Sequence, residues 1–404
     1  ADLLPYLDLF GTILTEIGTR RLDYMQFAKA INQCTGGFSH SFQAYLRADS
    51  RDTVRPILWL HVKVLSSFLE EALALVNEVL TSVDFSDVHR IDEIVHREFA
   101  WAEHSTHSDG YSLAATNAFA HLSQAGRYHE YVHGIHAYLH LKHLAGQYDP
   151  EEANLLAALE RIRDHLFRRR GLTVAITAEA ADIERFRTLG AATVNSLADL
   201  ALTPVHPEFR LGARTRACTT SAEIVYNVQA CTLFPSPEAY NGRFEVLRTW
   251  LSRDYLWNTV RQKNGAYGCF IQFNHLSGNF GMVSYRDPQV RRTYEAYEAL
   301  PAVIGEMEVG AELLDQLVIG AYGSCVPHLG PAARGAAARN DYLCGITPAF
   351  RRQRLAELLA TTAEDLRGFA PLFAALAENR IRTSLGSAAR IDQDRDLFEQ
   401  RTEL

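Results

Sequence analysis

The chain has 404 residues, 47% of them apolar and 22% charged, which are the proportions of a globular protein too long for one ordinary core. Its formal net charge of −8 argues against a nucleic-acid partner, and no apolar run is long enough to span a membrane. The six cysteines, at 34, 218, 231, 269, 325 and 344, form no C-x-x-C pair and read as reduced thiols, so a cytoplasmic setting is expected, with an organellar matrix as the alternative.

The first residues, "ADLLPYLDLF", carry no basic leader and open directly on helical spacing, Leu3, Leu4, Leu7, Phe10, Leu14. The expectation is that the chain enters a domain partway, with a first strand upstream of it. Helices are predicted over 2–17 and 21–34, broken by "CTGGFSHS", and two strands over 42–49 and 57–65 pair with one another. Four helices follow over 66–81, 87–105, 110–124 and 128–145. Asp149, Pro150 and Glu152 have the N-cap, N1 and N3 chemistry of another helix start. "LTVAIT", 172–177, alternates as a strand does, and a helix covers 179–189.

Residues 197–217 contain two prolines and little periodicity, which sets a domain boundary there: one domain over 1–205, a second over 206–404. The second opens with a strand at 223–233. Ser236, Pro237 and Glu238 cap a helix running through Leu256, two strands follow at 266–274 and 280–286, and Asp287-Pro288 starts another helix. "TTAEDL", 361–366, offers a capping box. Mixed strands and helices with short turns predict an α+β fold of two similar domains, each an antiparallel sheet with helices packed on one face.

"YHEYVHGIHAYLHLKHL", 128–144, holds five of the sixteen histidines and spells H-E-x-x-H at His129, Glu130 and His133. On a helix the two histidines are one turn apart, as zinc ligands must be, Glu130 could act as base, and Glu152 is a third-ligand candidate. A simpler reading is preferred. Histidines 129, 133, 136, 140 and 143 step by fours and threes as a whole stripe beside a core-facing stripe of Tyr128, Tyr131, Val132, Ile135, Tyr138 and Leu139. No zinc is assigned to this segment; a self-sufficient zinc protease through it is the lesser alternative.

In "YLWNTVRQKNGAYG", 255–268, an aromatic cluster is followed by Arg261, then by Asn264, Gly265, Ala266, Tyr267 and Gly268. Glycines make a tight turn or let a ligand approach the backbone. Arg261 and Tyr267 sit at its mouth as a permanent fork of donors and a phenol, a pair suited to holding a carbonyl oxygen as charge develops on it. The plain alternative is a surface arginine and a strand tyrosine packed at a turn.

This stretch, with "SYRDP" at 284–288, resembles the C-terminal half of the pitrilysin/insulinase zinc metallopeptidases, in the presequence protease branch, whose pattern is L-W-x-x-V-R-x-x-G-G-A-Y-G followed by S-Y-R-D-P. Residues 22–41 resemble the start of that family's third domain, and 314–335 and 346–366 its fourth. The histidine segment falls where the family has a helix without a metal role. The resemblance implies four α+β domains in two halves closing on a peptide chamber, with zinc and its H-x-x-E-H motif in the first domain. That motif is absent from these 404 residues. The chain is therefore expected to be the second half alone, a non-catalytic wall of a peptidase for unstructured peptides, partnered by an N-terminal half that carries the zinc. On this expectation Arg261 and Tyr267 complete the site for the substrate carbonyl. Asn264 departs from the family's first glycine and puts the turn geometry in question. A scaffold subunit of the same fold is the rival reading, and a homodimer of the fragment stays open.

Overall fold

The structure is a computed structural model that describes residues 2–147, 153–201 and 207–404. The chain divides into two compact units, one of Ala1–Gln43, Pro56–Ala102 and Tyr131–Phe209, the other of Ala44–Arg55, Glu103–Glu130 and Arg210–Leu404. Among the described residues no helix is long and apolar enough to cross a membrane. The expected cap at Asp149, Pro150 and Glu152 lies outside the described residues; the helix beyond it runs Ala153–Leu166.

The first unit is mostly helical. Leu7–Glu16 buries Leu7, Phe10, Ile13 and Leu14, the spacing that its sequence predicts. Tyr24–Cys34 starts with a capping box: Asp23 accepts from the Gln26 N–H at 2.8 Å, and the Gln26 side chain accepts from the Asp23 N–H at 3.2 Å. The two strands β1 (Gly37–Arg47) and β2 (Ser50–Lys63) pair with each other as expected, though both are longer than the alternation alone suggests. Leu69–Ser82 packs with Ala180–Ser196, where the Ser196 hydroxyl donates to Asn77 Oδ1 at 2.9 Å.

Two expectations along this part of the chain are corrected. The histidine run is two helices, Gln124–His133 and Ile135–Gln147, because helical order breaks at Gly134, where no side chain supports it. Residues 172–177 are not a strand: they have no strand conformation and belong to neither sheet, and Leu172, Val174 and Ile176 are exposed. Alternation shows that a segment can lie on a sheet, but a sheet needs a neighbour to supply its hydrogen bonds.

The second unit is built on one six-stranded sheet. Its strands are β3 (Thr215–Thr220), β4 (Val225–Thr232), β5 (Gly268–Asn274), β6 (Asn279–Asp287), β7 (Ile381–Ser387) and β8 (Gln400–Glu403), in the order β5-β6-β4-β7-β3-β8. β5, β6, β4 and β7 are antiparallel neighbours, while β3 runs parallel to both β7 and β8. Sequence reading finds β4, β5 and β6 but not β3, β7 and β8. "TRACTT" and "IRTSLGS" are short and polar, and they are buried with internal partners. Ser384 donates to Asn227 Oδ1 at 2.6 Å, and Thr383 to Asn117 Oδ1 at 3.2 Å.

Both faces of this sheet are covered, and successive residues of β6 show it. Phe280 points to Phe373 and Phe244, at ring-centroid distances of 5.3 and 6.2 Å, in an aromatic core shared with Phe234, Tyr240, Phe273 and Phe369. Gly281 points the other way, under the helix Tyr111–Ala120. A Cβ on it would meet Phe119 Cζ at 2.7 Å, so any larger residue would have to displace the Phe119 ring. The capping box at 361–366 is present, with Thr362 as N-cap and Asp365 at N3.

Candidate functional site

The helix leading to the site starts at Phe244, not at 236–238 as the sequence suggests, and continues to Lys263, past the predicted end at Leu256. Residues 236–243 are held in turns. Tyr240 is drawn into the aromatic core, and the Gly242 N–H donates to Glu357 Oε2 at 2.7 Å. After Trp250 the helix widens to π turns over Leu251–Tyr255 and Trp257–Lys263. Such widening is uncommon and concentrates at functional sites. Leu256 and Val260 are buried, which turns Trp257 and Arg261 outward. The Arg261 guanidinium carbon lies 3.8 Å from the centroid of the Trp257 ring, which is 43% exposed. Stacking of this kind contributes about 0.5–1 kcal/mol and holds the fork of donors in one plane.

The chain then reverses. The Gly265 N–H donates to the Arg261 carbonyl at 3.1 Å, the Ala266 N–H to the Val260 carbonyl at 3.2 Å, and Gly265 itself sits at φ +85°. Asn264, the departure from the family pattern, is in the ordinary right-handed helical region at φ −89°, where no glycine is needed, and its side-chain amide donates to the Arg292 carbonyl at 3.4 Å. The turn therefore tolerates the change. Tyr267 follows at the head of β5. Its N–H donates to the Arg286 carbonyl at 3.3 Å, and its side chain is 67% exposed. The two residues singled out from sequence thus flank the Gly265 turn, one stacked and half-buried, the other open to solvent.

Behind Tyr267 stands an aromatic group that sequence reading did not assemble. The Tyr267 ring is 5.9 Å from Tyr285, which is 5.5 Å from Tyr226 and 5.7 Å from Tyr111; Tyr111 also meets Phe270 edge-on at 5.2 Å. Two phenols fasten this group to the last turn of Val88–Ser108. Tyr226 donates to the carbonyls of His107 at 2.7 Å and Ser108 at 3.1 Å, and Tyr285 to that of Ser108 at 3.2 Å. Carbonyls at a helix end lack intrahelical partners, so these bonds satisfy them and fix the rings together.

The "SYRDP" segment closes the other side. Arg286 has φ +49°, a left-handed conformation that costs a non-glycine residue about 1–3 kcal/mol. It is held there by its neighbour. The Asp287 carboxylate is fully buried and accepts from Thr293 Oγ1 at 2.7 Å, the Gln289 N–H at 2.8 Å and Asn227 Nδ2 at 3.2 Å. Burial raises its pKa, opposed by these donors. The β4–β6 ladder slips between Val225 and Asn227, opposite this point. The exposed Arg286 guanidinium lies over Tyr285 at 5.4 Å, and its pKa is raised by Tyr285 first and then by Tyr226 and Tyr267. Nothing in the sequence signals the strained backbone; the motif letters alone mark the place.

The H-E-x-x-H residues do not fit a zinc ion. Glu130 is 2% exposed and accepts from Asn117 Nδ2 at 3.2 Å, so the would-be base is engaged by an amide that Thr383 in turn bonds. His133 turns its Nδ1 toward Asp8 Oδ1, 3.6 Å away, the same oxygen that His40 Nε2 meets at 3.2 Å. His136 stacks on Tyr131, and His140 meets Tyr6 edge-on, with burial lowering its pKa to about 4. Among the described residues no group of three or more His, Cys, Asp or Glu gathers as a metal site. Glu152, the third-ligand candidate, lies outside the described residues.

The family described as the associated domain of the C subfamily of M16 peptidases matches residues 1–144, and the "PreP C-terminal domain" matches residues 218–384, which include the whole Arg261–Asp287 region. Protein HypA of Clostridium perfringens is 26% identical over 397 residues, 98% of this chain and 40% of the relative. Presequence protease 1, chloroplastic/mitochondrial, of Arabidopsis thaliana is 28% identical over 400 residues, 97% of this chain and 36% of the relative. The chain thus spans about two fifths of the length of these curated relatives. Solved structures share the fold: a peptidase M16 inactive domain from Pseudomonas fluorescens has a TM-score of 0.59 at 14% identity, covering 94% of this chain and 87% of that one. The periplasmic protease PqqL from Escherichia coli has a TM-score of 0.61 at 12% identity, covering 98% of this chain and 44% of that one.

Proposed function

We propose that this chain, which belongs to the presequence-protease-type M16 peptidases and corresponds to their C-terminal half, is the non-catalytic half of a zinc endopeptidase for unstructured peptides. It supplies chamber wall, peptide binding and stabilisation of the reacting carbonyl. Zinc and the general base reside in the N-terminal half that is its partner. The single observation that carries this reading is the Arg261–Tyr267 turn, with a guanidinium fixed on an indole, a phenol left two-thirds exposed, and both set on a rigid helix–strand corner.

On this proposal Arg261 and Tyr267 donate to the carbonyl oxygen of the peptide bond under attack, and hold the charge that grows there. Donors already oriented need no reorganisation as the reaction proceeds, which is where their value lies. The pair does no bond-breaking, so the chain alone has no peptidase activity. The six cysteines are free thiols, which suits a reducing compartment, cytoplasm or organellar matrix.

The test is cleavage of an unstructured fluorogenic peptide by the chain alone, by an H-x-x-E-H half alone, and by the two together. Activity is expected from the mixture, and Arg261→Ala or Tyr267→Phe should lower turnover by about 10²–10³-fold, the loss typical of one such donor. Turnover that survives both substitutions removes the assigned roles. A mixture that stays inactive favours a scaffold subunit instead.

A further inference from the structure

We propose that Arg286 is a second peptide-binding residue, which takes a carboxylate of the bound peptide, an acidic side chain or the C-terminus, beside Tyr267. The inference rests on the peptide-binding reading above and deepens it. It starts from the backbone. Tyr267 and Arg286 face each other across the β5–β6 ladder, joined by the Tyr267 N–H to Arg286 carbonyl bond of 3.3 Å, one step beyond the Gly268–Tyr285 pair. A left-handed residue at that point, φ +49°, turns the side chain away from the regular path of the strand. Asp287 keeps it there through three hydrogen bonds, two of them buried.

The guanidinium thus held is exposed. The groups beside it are the ring of Tyr285, over which it lies, the Tyr226 hydroxyl, which accepts a hydrogen bond from it, and Tyr267, and among the described residues no carboxylate pairs with it. Neighbouring arginines differ. Arg291 is bound by Asp394 at 2.9 Å and Asp396 at 2.5 Å, and Arg390 by the carbonyls of Glu223 at 2.6 Å and Pro288 at 2.7 Å. Arg286 therefore presents a fork of donors whose natural complement is a planar anion with two acceptor oxygens. Tyrosine rings on one side supply a surface along which an extended peptide can lie. In a chain of net charge −8, a cation kept free of carboxylates at such a place selects for the charge of what binds.

The test is fluorescence anisotropy of the full chain with a fluorescein-labelled unstructured peptide carrying glutamates, and with its glutamine counterpart. The wild-type chain should bind the glutamate peptide about tenfold more tightly, the gain expected of one hydrogen bond to a charged group. Arg286→Gly should abolish that preference without lowering the melting temperature, because glycine adopts φ +49° freely. Arg286→Gln, which keeps the backbone unchanged in kind, should abolish it too, and Arg286→Lys should retain part. Arg261→Ala should weaken both peptides alike. A preference that survives in Arg286→Gly and Arg286→Gln overturns the assignment, as does a wild-type chain that binds both peptides equally. Wild-type binding that fails for both peptides sinks the peptide-binding reading itself, and this assignment with it.

Discussion

Replacing Gly265 by alanine isolates the backbone conformation on which the Arg261–Tyr267 turn depends. A Cβ at this position meets only Pro288 Cγ, at 3.4 Å, so the side chain itself fits. What it strains is φ, +85°, where an L-residue loses roughly 1–2 kcal/mol. For a unit of this size that is a melting-temperature drop of about 2–8 °C. Gly268, three residues on, is the internal control. It has no positive φ, and its Cβ would meet Tyr285 Cβ at an ordinary 3.7 Å, so Gly268→Ala should change stability by less than about 0.5 kcal/mol. Asn264→Gly, which restores the residue the family pattern has, should destabilise by about 0.5–1 kcal/mol, since Asn264 is in the right-handed region and its amide holds the Arg292 carbonyl. The assay is thermal melting of the three variants beside the wild type, with peptide turnover measured in the reconstituted mixture. Relaxation of the strained turn should move Tyr267 enough to lower turnover well before the fold is lost. Equal melting temperatures for Gly265→Ala and Gly268→Ala, or a stabilised Asn264→Gly, would refute the reasoning.

Asp287→Ala removes an acceptor shared by three donors, two of them in buried bonds, and should destabilise by about 3 kcal/mol in urea titrations, with Asp287→Asn losing less. Burial lowers the pKa of both His140 and His275 to about 4. Folded-state values below the unfolded 6.5 mean that the unfolded chain takes up protons first, so stability should fall as pH drops from about 6.5 to about 4, by at most roughly 1.4 kcal/mol per pH unit for each imidazole. His275→Phe, whose ring would keep the Tyr240 and Phe350 neighbours at 5.7 and 5.8 Å, should remove its share of that slope; an unchanged slope in pH-dependent melts would count against the buried neutral ring. Thr362→Ala should weaken the Ala363–Gly368 helix start by about 1 kcal/mol, read as a lowered melting temperature. Elemental analysis of the purified chain should find no stoichiometric zinc, and His133→Ala should not alter that result; zinc lost on His133→Ala would restore the metal reading of the histidine helix.

Sequence alone determined the elements whose signal is local. The Asp23–Gln26 and Thr362–Asp365 capping boxes are where the residues place them, because the chemistry of a cap lies within four consecutive positions. Strands β4, β5 and β6 follow from apolar runs, and the Arg261–Tyr267 segment follows from a run of rare residues in register with a family pattern. Tertiary structure decided the rest. Strands β7 and β3 are polar enough to read as loops and become strands because buried partners such as Asn117 and Asn227 satisfy them. Residues 172–177 alternate like a strand and are none, since pairing depends on a distant neighbour that one sequence window cannot show. The fate of Glu130 turned on Asn117 and Thr383, 13 residues and far more away along the chain, and the exposed cation at Arg286 on an aspartate buried beside it. The capping signals at Asp23 and Thr362 survive because they are completed within four residues, whereas the apparent cap at 236–238 gave way to packing of Tyr240 in the core, and burial and long-range hydrogen bonds exist only once the chain has closed on itself.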